Sequence, residues 1–298
     1  MTQPDYTPGG ESTFISARDG LKLHVRIYKP SVPTTALPVI CLPGLSRNGR
    51  DFDLLARHLS TDAKTPRAVY CLDFRGRGLS GYDSNWSNYN ILTEAEDTVM
   101  VLTALGLAHG VFVGTSRGGL VTMIMSALRP GAIKGVVFND IGPVIEGAGL
   151  TQIRLYLQRQ PKPTSWANAA ELQRSVMAKA FTAMDPDEWM REAHARYRSF
   201  DGTIRPDHDP NLIKTLTGID LEARLPTMWP QFDGLRHAPL MIIRGGNSTL
   251  LSEKTVEAMV ERHPKATAIT AQNQGHAPLL TKADTIGPIA EFIRSIKH

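Results

Sequence analysis

The chain has 298 residues, 42% of them hydrophobic and 21% charged, with 33 Lys and Arg against 29 Asp and Glu for a net charge of +4. That suffices for one large α/β domain with an insertion, and the basic residues are too scattered to call for a nucleic acid or an anionic membrane. The first thirty residues lack a basic stretch followed by an apolar core and no apolar run reaches spanning length, so no membrane partner is expected and the default location is cytoplasmic.

In chain order, strand-like runs at Thr13 to Ala17 and Leu21 to Tyr28 flank Asp19-Gly20, a strong hairpin signal. Further apolar runs follow at Val39 to Leu42, Ala68 to Leu72, Gly110 to Val113, Ile133 to Phe138, Leu240 to Ile243 and Ala266 to Thr270. Helix-like stretches separate them: Asp51 to Leu59, Glu94 to Leu105, Leu120 to Leu128, Glu253 to Arg262 and Ile286 to Ile296. Near-continuous apolar runs between helices are what a parallel sheet buried on both faces requires. Thr93, followed by Glu94 and Glu96, predicts an N-cap with a capping box. Cys41 and Cys71, the only cysteines, lie in or at the end of such runs and read as buried free thiols of a reducing compartment.

The alternation breaks between 143 and 232, where helix-prone stretches appear at Gln152 to Arg159, Trp166 to Met184 and Glu188 to Arg198, with a polar loop from Asp201 to Pro210. The expected organisation is therefore an α/β core formed by residues 1–142 and 233–298 and a helical cap formed by 143–232. An insertion between two sheet strands at the edge where such folds place their sites is a natural lid.

The strand-like Val111-Phe112-Val113 leads into Gly114-Thr115-Ser116-Arg117-Gly118-Gly119, and a helix-like run follows. This is G-x-S-x-G in a strand–turn–helix setting. The glycines permit a sharp turn that lifts a serine hydroxyl above the sheet edge, where the following helix directs its N-terminal N–H groups toward it. Ser116 is the candidate nucleophile.

Four further segments accompany it: Leu42-Pro43-Gly44-Leu45 after an apolar strand, Asp73-Phe74-Arg75-Gly76-Arg77-Gly78-Leu79-Ser80 after the next, Met241 to Ser252, and Gln274-Gly275-His276-Ala277-Pro278 after the last. With the elbow, they make the chain resemble the α/β-hydrolase superfamily along nearly its whole length. The resemblance implies a mostly parallel sheet of about eight strands with helices on both faces. It also implies His276 as general base, and the backbone N–H groups of Leu45 and Arg117 as an oxyanion hole. Pro43 departs from the histidine that many members carry but leaves the following amide intact. The Asp73 to Ser80 stretch looks like the superfamily's D-x-R-G-x-G-x-S loop and reads as structural, with Asp73 and Arg75 expected to brace it by an ion pair.

The acid is where the pattern departs. Relatives of the Arg244 to Ser252 segment place it at the position occupied here by Thr249, which cannot carry the charge that orients an imidazolium. Asp140, at the end of the preceding strand, is the candidate substitute, as in some haloalkane dehalogenases and lipases of the superfamily. A structural aspartate paired with Arg117, an acid from the cap and a dyad without an acid are the alternatives. Arg47 could reach a polar group of a substrate or brace the cap.

The expected activity is hydrolysis of a carboxylic ester or lactone of a small molecule through an acyl-enzyme, with no metal and no organic cofactor. Carbon–carbon bond hydrolysis of a ring-cleavage product by the same machinery and a non-catalytic ligand-binding relative are the alternatives.

Overall fold

The computed structural model describes residues 6–296 apart from 160, 221, 222 and 224. Strands β1 (Glu11–Ser16) and β2 (Lys22–Tyr28) pair antiparallel with Ser16 opposite Lys22. The turn between them uses Gly20 at φ +86° and the Asp19 carboxylate, which accepts the Leu21 N–H. The alternation then runs β3 (Val39–Leu42), α1 (Asp53–Ser60), β4 (Val69–Asp73), α2 (Ile91–Ala104), β5 (Gly110–Thr115), α3 (Arg117–Leu128) and β6 (Ile133–Asn139).

A long excursion follows, with α4 (Gly147–Arg159), α5 (Trp166–Met177), α6 (Pro186–Arg196), the hairpin β7 (Tyr197–Phe200) and β8 (Thr203–Pro206), and the single turn α7 (Lys214–Thr217). Helix α8 (Trp229–Asp233) leads into β9 (Leu240–Gly245), α9 (Glu253–Arg262), β10 (Ala266–Ala271) and α10 (Ala283–Ser295). The sheet has eight strands in the order β1-β2-β4-β3-β5-β6-β9-β10, antiparallel at β1 and β2 and parallel from β4 onward.

Both faces of this sheet are covered, which is why its central strands read as unbroken apolar runs. Leu55 and Leu59 of α1 and Ile289 and Ile293 of α10 pack with Val39, Val111 and Val137 on one face. On the other, Val101, Val121, Met123 and Met259 from three helices pack with Ile40, Phe112 and Val136. Cys41 and Cys71 face each other across β3 and β4 as buried free thiols.

Several boundaries differ from expectation. Helix α2 begins a turn early because Asn90, not Thr93, is its cap: the Asn90 side chain accepts the Leu92 and Thr93 N–H groups at 3.1 and 2.9 Å. The expected helix from Trp166 to Met184 ends at Met177, since the following segment is held by the His276 loop, with Thr182 N–H donating to the Asn273 carbonyl at 3.1 Å. The polar stretch after Phe200 forms half of the β7–β8 hairpin, whose short strands carry no clear alternation.

The Asp73–Arg75 ion pair does not form. Asp73 instead accepts from His24 at 2.7 Å, from the Gly49 N–H at 2.6 Å and from the Leu79 N–H at 2.9 Å. Arg75, also buried, grips Asp97 with two bonds of 2.7 Å and reaches Asp19 and Asp83. The loop is thus braced from outside itself, by two independent buried centres.

The excursion is pinned at its base and its far end. The Met228 N–H donates to the Pro143 carbonyl at 2.8 Å, and α8 already packs on α3, where Gln231 O accepts from Ser126. The inserted segment therefore closes at Met228, a few residues before the expected 232. Farther out, Asp207 to Asp209 lie along the glycine loop: Gly78 N–H donates to Asp207 O at 3.1 Å and Asp209 N–H to Gly76 O at 2.7 Å. The insertion's own core, with Phe181, Trp189 and Tyr197, rests on Leu279 of the loop after His276.

His208 lies inside this junction, where burial and then Arg77 and Arg196 push its imidazole down to about 4. The unfolded chain thus binds a proton that the folded chain does not between the ordinary histidine value and about 4, so folding stability falls as pH falls through that window. Thermal denaturation followed across it is expected to show a loss on the order of 3 kcal/mol attributable to this group. His208→Asn is expected to flatten that acid limb.

Candidate active site

The turn from β5 into α3 places Ser116 at φ +50° and ψ −113°, a left-handed conformation that a side-chain-bearing residue adopts only under tight surrounding packing. The packing leaves no room for side chains on its flanks. A Cβ at Gly114 would sit 2.6 Å from the Gly119 nitrogen, and one at Gly118 would overlap the Leu42 carbonyl. The Ser116 N–H donates to the Asn139 carbonyl at 3.0 Å, fixing the turn against β6.

His276 follows β10 and brings Nε2 to 2.9 Å from Ser116 Oγ and Nδ1 to 2.8 Å from Asp140 Oδ2. A carboxylate only accepts, so Nδ1 carries the proton in this arrangement and Nε2 is free to accept from the serine. Asp140 is fully buried at φ +54°, just past the tip of β6. Its own N–H donates to the Ile243 carbonyl at 2.7 Å, and its Oδ1 accepts the Gly245 N–H at 2.8 Å, so the neighbouring strand β9 holds both its backbone and its carboxylate. Oδ2 also accepts from Ser248 Oγ at 2.5 Å.

Ser248 was not singled out from sequence. The signal lay in the Arg244 to Ser252 segment, whose serine next to the missing acid supports a carboxylate arriving from another strand. Thr249 turns away to the insertion and donates to Gln152 Oε1 of α4 at 3.1 Å. Arg117 does not pair with Asp140; its Nε donates to Glu94 Oε2 at 2.6 Å and its Nη2 to the Tyr89 carbonyl at 2.9 Å.

The Leu42 to Leu45 turn crosses in front of the elbow, and a Cβ on Gly44 would stand 3.9 Å from that of Ser116. Among the described residues no backbone carbonyl takes up the Leu45 or the Arg117 N–H, while the Leu45 carbonyl accepts from Arg77 Nε at 2.7 Å. Asn139, missed from sequence, ties the elbow to the His276 loop: its Nδ2 donates to Thr115 Oγ1 at 3.1 Å and to the Pro278 carbonyl at 2.9 Å.

A cavity of about 500 Å³ opens above Ser116 and His276, between the sheet edge and the insertion. Its walls include Ile153, Tyr156, Met177, Phe181 and Leu280. Arg47 lines it but is not a free cation: its Nε donates to Asp51 at 2.6 Å and its Nη2 reaches Glu192 of α6 at 3.3 Å. Burial opposes its charge, and the two carboxylates more than offset that, raising its pKa above the ordinary arginine value.

A sequence profile of the alpha/beta hydrolase fold matches residues 38–283. An alpha/beta hydrolase from Novosphingobium aromaticivorans is similar in structure with a TM-score of 0.88, at 32% identity over 97% of this chain and 99% of its own. In sequence the chain is similar to a 3-hydroxybutyrate-oligomer hydrolase from Cupriavidus necator, 26% identical over 87% of this chain and 89% of that protein. It is also similar to an esterase from Escherichia coli, 24% identical over 89% of this chain and 96% of that protein. The profile covers most of the chain and the Novosphingobium aromaticivorans structure nearly all of it: the chain belongs to the α/β-hydrolase family.

Proposed function

We propose that the chain is a serine hydrolase that cleaves a carboxylic ester or lactone through an acyl-enzyme, with Ser116, His276 and Asp140 as its catalytic triad. The observation that carries this reading is the unbroken line of hydrogen bonds Ser116 Oγ–His276–Asp140 at 2.9 and 2.8 Å, opening on a largely apolar cavity.

Ser116 Oγ attacks the carbonyl carbon while His276 Nε2 takes its proton, and the carbonyl oxygen becomes an oxyanion against the Leu45 and Arg117 N–H groups. Each such donor contributes about 3 kcal/mol in the transition state. Collapse expels the alcohol, which leaves with the proton from His276, and the acyl group stays on Ser116. Water then attacks, again losing its proton to His276, and the acid leaves with Ser116 restored. Asp140 stabilises the imidazolium at both stages and fixes the Nδ1–H tautomer, with Gly245 and Ser248 holding its carboxylate in place.

The insertion serves as a cap that shapes the acyl pocket, its α4 and α5 side chains forming the apolar wall. Arg47 braces that cap, joining the oxyanion turn to α6 through Glu192, and its charge is spent on Asp51 and Glu192. The names of the relatives from Cupriavidus necator and Escherichia coli favour an ester bond over a carbon–carbon bond. The position of Asp140 weighs against a non-catalytic binder, because the only sequence feature favouring that reading is Thr249.

Two measurements test the assignment. A fluorophosphonate probe is expected to label Ser116 stoichiometrically by mass spectrometry, and Ser116→Ala is expected to abolish both labelling and hydrolysis of p-nitrophenyl butyrate. An unlabelled wild type would exclude a serine nucleophile. Separately, Asp140→Asn is expected to lower kcat by about 10⁴, the scale seen when a triad loses its acid. Thr249→Ala is expected to remain within about threefold of wild type, since its hydrogen bond to Gln152 is exposed. Near-normal kcat for Asp140→Asn would place the acid elsewhere.

A further inference from the structure

We propose that Glu94 is a positioning residue for the oxyanion hole, binding its two halves together through Arg77 and Arg117; this rests on the serine-hydrolase reading above. The two donor residues come from separate parts of the chain, Leu45 from the turn after β3 and Arg117 from the first position of α3. The packing of Gly118 on the Leu42 carbonyl brings the two segments together, but no backbone hydrogen bond joins Leu45 to Arg117. Behind them runs a continuous chain of short polar contacts. The Leu45 carbonyl accepts from Arg77 Nε at 2.7 Å, and Arg77 Nη1 pairs with Glu94 Oε1 at 2.8 Å. Glu94 Oε2 completes the chain by accepting from Arg117 Nε at 2.6 Å.

Each link is gripped from outside as well. Arg77 Nη1 also donates to the Arg75 carbonyl at 2.5 Å and Arg117 Nη2 to the Tyr89 carbonyl at 2.9 Å. Glu94 and Arg77 have no exposed side-chain surface and Arg117 has 14%. The Arg77–Glu94 contact is an ion pair, and the Arg117–Glu94 contact is a hydrogen bond between ionised groups, a kind that is shorter and roughly twice as strong as a neutral one. Holding the Leu45 carbonyl fixes the ψ of the residue whose N–H is one donor. Tethering the Arg117 side chain fixes the first residue of α3, whose N–H is the other.

The charges have the sign the reaction needs. One carboxylate serves two guanidiniums, so this chain of contacts presents an excess of positive charge behind the two amides. Burial works against ionised Glu94, but the Arg117 and Arg77 guanidiniums overcome it and hold its carboxyl below the usual glutamate range. An oxyanion hole is effective because its donors are already in place when charge develops, with no reorganisation left to perform. A rigid charged clamp shared by both donors supplies that condition.

The test compares Glu94→Gln and Arg117→Leu with wild type. The first keeps the shape of the side chain; the second keeps the backbone donor and the Arg77–Glu94 pair while cutting the tether. Both are read by kcat and KM on p-nitrophenyl butyrate and by Ki for an alkyl trifluoromethyl ketone, whose adduct with serine carries the oxyanion. Melting temperature monitors folding. The expected result is a 10- to 100-fold fall in kcat with KM within about twofold, and a Ki weakened by the same factor. A purely structural brace would lower the melting temperature without moving kcat and Ki together.

If Glu94→Gln does not fold, Arg117→Leu decides alone. Folded variants that keep kcat and Ki within about twofold of wild type overturn the proposal while leaving the serine-hydrolase reading intact. A wild type that neither turns over the ester nor binds the ketone overturns both.

Discussion

The positive φ at Ser116 is the constraint around which the rest of this molecule is arranged. A serine held at +50° above the end of β5 needs a chain that turns sharply, and the turn brings its flanks so close to Leu42 and Gly119 that only glycine fits at 118 and 114. The same closeness lays the turn after β3 across the front of Ser116. Strain of this kind costs on the order of 1–3 kcal/mol and persists only where neighbours over-determine it. Here the neighbours are β6, through the Asn139 carbonyl, and the buried faces of β3 and α3. The sheet's apolar bulk thus stabilises a conformation useful only at its edge.

The placement of Asp140 beside His276 follows from strand order. Because β6 lies between β5 and β9, a residue just past its tip can reach the histidine loop as readily as one after β9. Asp140 does so with its backbone bonded to Ile243 and its carboxylate bonded to Gly245 and Ser248, so β9 and the loop after it hold a carboxylate that β6 carries. Position 249 takes no part in this group. Thr249 instead meets Gln152 of the inserted segment.

Much of this was legible in the sequence, and the exceptions have physical reasons. The core strands were readable because burial on both faces leaves only apolar residues, and Ser116 and His276 because each sits in a loop whose glycines and proline mark its geometry. Asp140 was reachable only through topology, since nothing beside it in the chain signals its partners. Arg77, Glu94 and Arg117 were opaque as a group: they lie in a loop, a helix and an elbow, and nothing in their spacing signals that one carboxylate joins the two guanidiniums. The β7–β8 hairpin and the early end of α5 were hidden for a related reason. Contacts with the glycine loop and the His276 loop, rather than local periodicity, decide them.

The hydrogen bond between Met228 and Pro143 has an architectural consequence. It brings the two ends of an inserted segment of more than eighty residues to within one peptide contact of each other, so the segment leaves and rejoins the sheet at a single point. Closing a longer loop costs little more than closing a shorter one, growing only with the logarithm of its length. A change in the length of the inserted segment therefore leaves its two points of departure from the sheet where they are, and β6 and β9, between which Asp140 is held, keep their pairing.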